Sequence, residues 1–525
     1  MEVEPGPGQQ PGSGGARRIL VGGDRGEQTR PGWAASTSAP PSPLGAWDLF
    51  GLANRRLSVA LGLLLLAAVA ASRVAAFPAS IWDQDEAYLG LAVTDFDPAA
   101  NQPHPPWFPL WVAAGKLAAP LAREPARGLQ VVSAAAGVWT LFPLVALLAI
   151  WIRRELAVAA AVLYLLLPGP WFLAGRAFAD TAATCLLLLA AAWWLRPDPD
   201  RPTLAKGALA AGLCLLVRPQ HLLAVVGMAA FGRLGARSRG DRAAVAVPLF
   251  GVLAAGGIAT ALAAGGVAPL WRALLIHSRY QVDGLAAVDH GLAASGIARS
   301  LIRPELAVLW IVLTAIGAAA WHRRRRAVGS PWPLLLGGLA PVLVTTQWLA
   351  DPARARYALP LLALTAGLVA IGLAACIGRR AAAAVMAAAA AASLVVGLPQ
   401  ALRSRTAVSP AVAALHAAAS GTAASGGAVV VERTLRSFAD YLSATGALRS
   451  PLITDFSVEI GAVEPPSATT TVAVFPEGKG GFVARYAAAD TFRCDIPWLR
   501  RLESDRFLDV TVTSGAQVIR APTRW

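Results

Sequence analysis

Between Leu57 and Pro399 the chain alternates long apolar runs with short polar connections rich in arginine. The runs lie at 57–76, 131–151, 156–174, 178–195, 206–217 with 219–231, 244–265, 304–320, 331–350, 357–376 and 381–399. A helix needs about 20 apolar residues to cross a bilayer, so the pattern predicts an all-α polytopic membrane domain of about 11 transmembrane helices. The run 107–121 is shorter and holds Pro109 and Lys116, which predicts an interfacial or re-entrant helix rather than a span.

The connections set the sidedness. Arg55-Arg56, Arg153-Arg154, the stretch Arg196 to Lys206, Arg233 to Arg242, Arg323 to Arg326 and Arg379-Arg380 should all be cytoplasmic by the positive-inside rule. For 196–206 and 233–242 to share a side, 206–231 must be a hairpin turning near Arg218-Pro219-Gln220, where proline suits the turn. The loop 77–128, the loop 266–303 and the link Asp351 to Arg356 then face the other side.

Outside this region the pattern changes. Residues 1–54 are rich in Gly, Pro, Ser and Arg without periodicity and read as a disordered cytoplasmic tail. With more than 50 residues before the first apolar run, no cleavable signal peptide is expected. The transmembrane domain is expected over 55–400. Over 401–525 the sequence is mixed polar, with β-rich runs at 428–431 and 470–475 and a helix-like stretch at 433–446, which predicts a small C-terminal α/β extracytoplasmic domain.

Composition agrees with a membrane class. Of 525 residues 56% are hydrophobic and 15% charged, against roughly 25% charged in soluble domains. The formal charge of +15 sits in clusters between apolar runs, so it speaks for membrane topology and no nucleic acid is expected as a partner. The four cysteines are dispersed, three of them in apolar runs, and the six histidines form no HExxH motif. That excludes a disulfide framework and gives no support to a zinc hydrolase.

The candidate chemistry lies in the predicted outer segments. Asp83, Asp85 and Glu86 put three carboxylates within four residues, beside Trp82, Tyr88 and Trp107. Such repulsion needs a compensating cation, proton or basic partner, so the cluster suits a divalent metal held by Asp83 and Asp85, or general-base work on an acceptor hydroxyl. A solvated acidic loop is the plain alternative. His104-Pro105-Pro106 is stiff and aims an imidazole from a rigid base, unless the prolines merely open the next helix.

Arg176 and Asp180 are four apart, which on a helix makes a salt bridge or a pair of site residues. Arg218 is embedded in the apolar hairpin with no acid near it in sequence, and an anionic lipid phosphate would satisfy it. Arg354 and Arg356, at the outer end of a span, are a second phosphate candidate, because guanidinium binds phosphate through two donors; snorkelling to headgroups is the alternative. His277, Arg279, Tyr280, Asp283, Asp289 and His290 populate the loop 266–303, which could cap the site without a role for any one of them.

In this order, Asp85-Glu86-Ala87-Tyr88, His104-Pro105-Pro106, Arg176 with Asp180, and Arg356-Tyr357-Ala358-Leu359-Pro360, the chain resembles the GT-C superfamily of polytopic glycosyltransferases. Within that superfamily it looks most like the group of the protein O-mannosyltransferases and the lipid A aminoarabinose transferase, over roughly 55–400. The resemblance implies transfer of a sugar from a polyprenyl-phosphate donor to a lipid, glycan or protein acceptor, on the extracytoplasmic side of a bacterial plasma membrane. It implies inversion by direct displacement, with Asp85 as base, Glu86 or Asp83 assisting or binding a divalent cation, and Arg218 and Arg356 neutralising the leaving phosphate. Against the pattern, the segment reads Asp-x-Asp-Glu, which leaves the base between Asp83 and Asp85, and Arg218 stands where many relatives have Lys.

Two other classes compete. A secondary transporter would show repeated halves and acids in mid-span, whereas here the acids gather at one face. A non-catalytic envelope-assembly protein would have no need of the carboxylate cluster.

Overall fold

A computed structural model describes residues 55–99, 102–231, 238–287, 292–323, 332–348, 351–425, 428–432, 435–448, 452–456, 471–476, 483–485, 488–502, 508–514 and 517–519. The tail 1–54, Asp289 and His290 lie outside the described residues.

The described helices, in order, are α1 (Arg55–Ala75), α2 (Gln84–Thr94), α3 (Pro109–Ala122), α4 (Pro125–Trp139), α5 (Leu141–Leu148), α6 (Arg154–Leu166), α7 (Pro168–Leu173), α8 (Asp180–Trp194), α9 (Arg201–Val217), α10 (Leu222–Phe231), α11 (Arg239–Ala263), α12 (Val267–Ala287), α13 (Ala293–Ser300), α14 (Pro304–Arg323), α15 (Ala340–Trp348), α16 (Leu359–Ile377) and α17 (Arg379–Thr406). Among the described residues six helical stretches are long and apolar enough to cross a membrane: Arg56–Ala75, Pro125–Leu148, Arg239–Ala263, Pro304–Arg323, Ala355–Ile377 and Arg379–Gly421. Three shorter apolar ones, Asp180–Trp194, Pro219–Phe231 and Pro333–Trp348, stand beside them. The chain is an integral membrane protein, and leucines and valines on its long apolar helices, such as Leu64, Val247, Leu262 and Val395, remain exposed.

Several expected spans are broken or short for identifiable reasons. The run 156–174 divides at Leu167, held extended before Pro168, into α6 and the six-residue α7. The run 331–350 becomes a π-helical stretch Pro333–Leu339 followed by α15. The run 107–121 forms the 14-residue α3, too short to span, with Leu117 and Leu121 exposed.

Arg201 at the start of α9 pairs with Asp241 at the start of α11 (3.1 Å), while Arg218 caps the far end of α9. The chain therefore leaves one face of the bundle along α9 and returns to it before α11, as the hairpin requires. Helices α14 and α16 cross in backbone contact at two glycines: a Cβ on Gly317 would lie 1.9 Å from the Leu368 carbonyl oxygen, and one on Gly372 2.3 Å from that of Leu313.

Beyond α17 come α18 (Pro410–Ser425), β1 (Ala428–Glu432), α19 (Arg436–Ala444), β2 (Leu452–Phe456), β3 (Thr471–Pro476), β4 (Val483–Arg485), β5 (Ala488–Arg493), α20 (Pro497–Leu502), β6 (Asp509–Ser514) and β7 (Gln517–Ile519). Five of the strands form a sheet in the order β2-β1-β3-β6-β5, in which β1 runs parallel to β2 and β3, and β6 antiparallel to β3 and β5. This region grips the membrane bundle twice. Phe438, Tyr441 and Leu442 of α19 share a core with Ala87 and Leu91 of α2, and Trp498 of α20 packs on Phe172 with ring centroids 5.4 Å apart.

Candidate active site

The acidic segment opens a helix. Asp83 is the N-cap of α2, and its Oδ1 accepts the Asp85 backbone N–H at 2.8 Å. Asp85 and Glu86 fill the first turn, where unpaired N–H groups and the helix dipole favour carboxylates. A helical start separates the three acids by direction, and each meets a different partner.

Glu86 points inward and is fully buried. Its Oε2 lies 2.7 Å from Arg176 Nη2 and accepts the Trp82 N–H at 2.8 Å, while Oε1 accepts the Ala177 N–H at 2.8 Å. Arg176 pairs with Glu86, and because α8 begins only at Asp180 the four-residue spacing from Arg176 is not a helical turn. Asp180 instead reaches Arg218, with Oδ1 at 3.0 Å from Nε. The hairpin arginine thus finds an acid 38 positions away in sequence, where no acid was expected.

Asp85 is set against Arg356. Its Oδ2 accepts from Arg356 Nη2 at 2.5 Å and lies 4.0 Å from Arg354 Nη1, which is also 3.7 Å from Asp83 Oδ2 and close to Asp351. Burial would raise the Asp85 carboxyl, but Arg356, His104 and Arg354 outweigh it and hold it well below the usual carboxylate range. Burial lowers the affinity of Arg354 for its proton, and so does neighbouring Arg356, but Asp83, Tyr357 and Asp85 more than offset both.

Aromatic rings line the cations. The Arg356 guanidinium lies 4.3 Å from the Phe178 ring centroid and 5.2 Å from that of Tyr357; Arg218 lies 5.1 Å from the same Tyr357 ring. His104 stacks on His277 of α12 (5.4 Å, 24°), with Tyr88 edge-on at 6.1 Å. Burial lowers His104, partly offset by Asp85, and pushes His277 down to about 4, so both imidazoles are neutral at pH 7. A small, partly open depression is lined by Asp83, Phe178, Arg354, Arg356 and, from the C-terminal region, Leu502.

The structure thus lines one depression with Asp83, Arg354 and Arg356, sets Asp85 against Arg356, stacks Tyr88 with His104, and places Arg218, paired with Asp180, over the Tyr357 ring that Arg356 also meets. It sets Glu86 and Arg176 in a sealed pair behind it. Sequence reading gave no role to Phe178, His277 or Leu502; Phe178 follows Arg176 closely and carried no signal beyond that, and nothing local to Leu502 marks it. The arrangement does not fit a divalent cation: the Asp83 and Asp85 oxygens face guanidiniums and a backbone N–H, and among the described residues no three His, Cys, Asp or Glu groups come together to hold a metal ion.

The fold is shared with a solved structure of ArnT. Among solved structures the chain is similar to the crystal structure of ArnT from Cupriavidus metallidurans bound to undecaprenyl phosphate, at 14% identity over 88% of this chain and 99% of that one, with a TM-score of 0.52. Weaker likenesses are to the apo oligosaccharyltransferase of Archaeoglobus fulgidus (15% identity, 75% of this chain, 65% of that one, TM-score 0.49) and to the mycobacterial arabinofuranosyltransferase AftD (19%, 73%, 30%, 0.41). No protein-family model and no curated protein matches the chain.

Proposed function

We propose that this protein is a membrane glycosyltransferase that moves a sugar from a polyprenyl-phosphate donor to an acceptor hydroxyl on the extracytoplasmic face. The observation that carries this reading is the Arg356–Asp85 contact, made by an arginine that also lines a surface depression with Asp83 and Arg354, which sets a carboxylate against a phosphate-seeking guanidinium. The structure with undecaprenyl phosphate bound that shares this fold supports the choice of donor.

Asp85 takes the proton from the acceptor hydroxyl. The hydroxyl oxygen forms a bond to the anomeric carbon as the bond from that carbon to the phosphate oxygen breaks, and the configuration inverts. Arg356, with Arg354 and Arg218, neutralises the departing polyprenyl phosphate. As Arg356 turns to the phosphate it leaves Asp85, whose proton affinity rises at the moment a base is needed. Asp83 holds the first turn of α2 and so orients Asp85. No step uses a metal.

The test is sugar transfer by membranes carrying wild-type or Asp85→Asn chains at matched protein level, supplied with radiolabelled polyprenyl-phosphate sugars of several kinds. Transfer that disappears in the variant supports the assignment. Equal transfer by both removes Asp85 as base, and no consumption of any donor by wild type, with lipid, glycan and peptide acceptors all supplied, favours a transporter or envelope-assembly protein.

A further inference from the structure

We infer that Asp180 is an internal counter-ion occupying, on Arg218, the place that the donor's phosphate takes, and that it thereby sets the affinity for the lipid phosphate. This rests on the donor reading above.

Arg218 and Asp180 are both nearly buried, with side chains 8% and 5% exposed, and meet through Nε and Oδ1 at 3.0 Å. The second carboxylate oxygen, Asp180 Oδ2, is buried without a hydrogen-bond partner. Leaving a buried carboxylate oxygen unpaired is costly, so a carboxylate placed only to stabilise the bundle would be expected to engage both oxygens, as Glu86 does with Arg176 and two backbone N–H groups. Asp180 is thus a one-sided partner, matched to the arginine but not to its surroundings.

The neighbouring charges make such a partner useful. Arg218 shares the Tyr357 ring with Arg356, and Arg356 carries a buried Nε with no hydrogen-bond partner. The three guanidiniums of Arg218, Arg354 and Arg356 each face a carboxylate in this structure. A phosphate entering between Arg218 and Arg356 must displace carboxylates from them, and Asp180, held at the start of α8, remains nearby as a like charge. Its repulsion keeps the spent polyprenyl phosphate from binding too tightly after transfer. Asp180 acts here through Arg218 and is a positioning residue in that sense.

The experiment measures binding of undecaprenyl phosphate, in the absence of any sugar acceptor, to the purified full-length chain in lipid nanodiscs. Asp180→Asn should bind about tenfold tighter than wild type, Asp180→Glu should bind as wild type does, and Arg218→Gln should bind more weakly. In a transfer assay Asp180→Asn should release product more slowly, giving a lower kcat with a lower donor KM. If Asp180→Asn does not fold, Asp180→Ser makes the same charge change in a smaller side chain. Binding by the uncharged variants that is equal to or weaker than wild type overturns the inference while leaving the donor reading intact. Absence of undecaprenyl phosphate binding by wild type and variants alike overturns both.

Discussion

Arg356 donates from Nη2 to Asp85 Oδ2 at 2.5 Å, across 271 positions of sequence. The contact joins the first predicted outer loop to the last, and it places the proposed base and the proposed phosphate ligand on opposite sides of one hydrogen bond. A second pair, Arg218 with Asp180, repeats the motif deeper in the bundle.

Replacing Arg356 by Gln should move the acid limb of activity. With Arg356 present the Asp85 carboxyl is held below its ordinary range, so it stays ionised as pH falls through 4 and loses its charge only at lower pH. Without the guanidinium the limb of the kcat/KM profile should shift upward, in addition to a loss of rate. An unmoved limb in a folded variant would show that Asp85 is not the titrating base.

Glu86→Gln is expected to act on folding rather than chemistry. The Glu86 side chain is fully buried and holds Arg176, so losing its charge leaves a guanidinium buried against a neutral partner, at a cost of about 3 kcal/mol. Thermal unfolding of the detergent-solubilised protein should show a large fall in melting temperature, and Asp85→Asn, at a carboxylate 19% exposed, a smaller one.

Gly90→Ala should loosen the C-terminal region from α2. An added Cβ would meet Tyr441 Cε2 at 2.5 Å, and that ring is buried, with its hydroxyl donating to Glu124 Oε1 at 2.6 Å and accepting from the Ala126 N–H at 3.3 Å. Overpacking of this kind costs about 1–3 kcal/mol. Limited proteolysis should cut between α17 and α19 faster in the variant, and an unchanged rate would mean that α2 can shift away from the ring.

Acid should detach α12 from His104. His277 has its folded-state affinity for a proton lowered, to about 4, and His104 is lowered too, so the unfolded or opened form binds protons first as pH falls below 6.5. The stacked contact is therefore fully kept at neutral pH and lost as pH drops from 6.5 toward 4. Hydrogen exchange over α12, corrected for intrinsic rates, should report faster opening in that window, and a His277→Phe variant should respond less, with only His104 left to take up a proton.

The sequence by itself determined the membrane class, because long apolar runs can satisfy their backbone only as helices in lipid. It also marked Asp83, Asp85, His104, Arg218, Arg354 and Arg356, since charges at the ends of apolar runs stand out from their surroundings, and it named the β-rich stretches that became β1 and β3. Tertiary structure decided which charge meets which. Arg176 and Asp180 look spaced as a helical pair, yet the helix begins only at Asp180, and each has a partner distant in sequence. The three clustered acids look equivalent in sequence, yet helical geometry at the start of α2 sends Glu86 into the core and Asp85 toward Arg356. Periodicity records which face of one element is apolar; the direction of a side chain relative to another helix depends on where helices start, break and cross. The prolines at 168 and 333 and the glycines at 317 and 372 fix those points only once the helices have packed against one another.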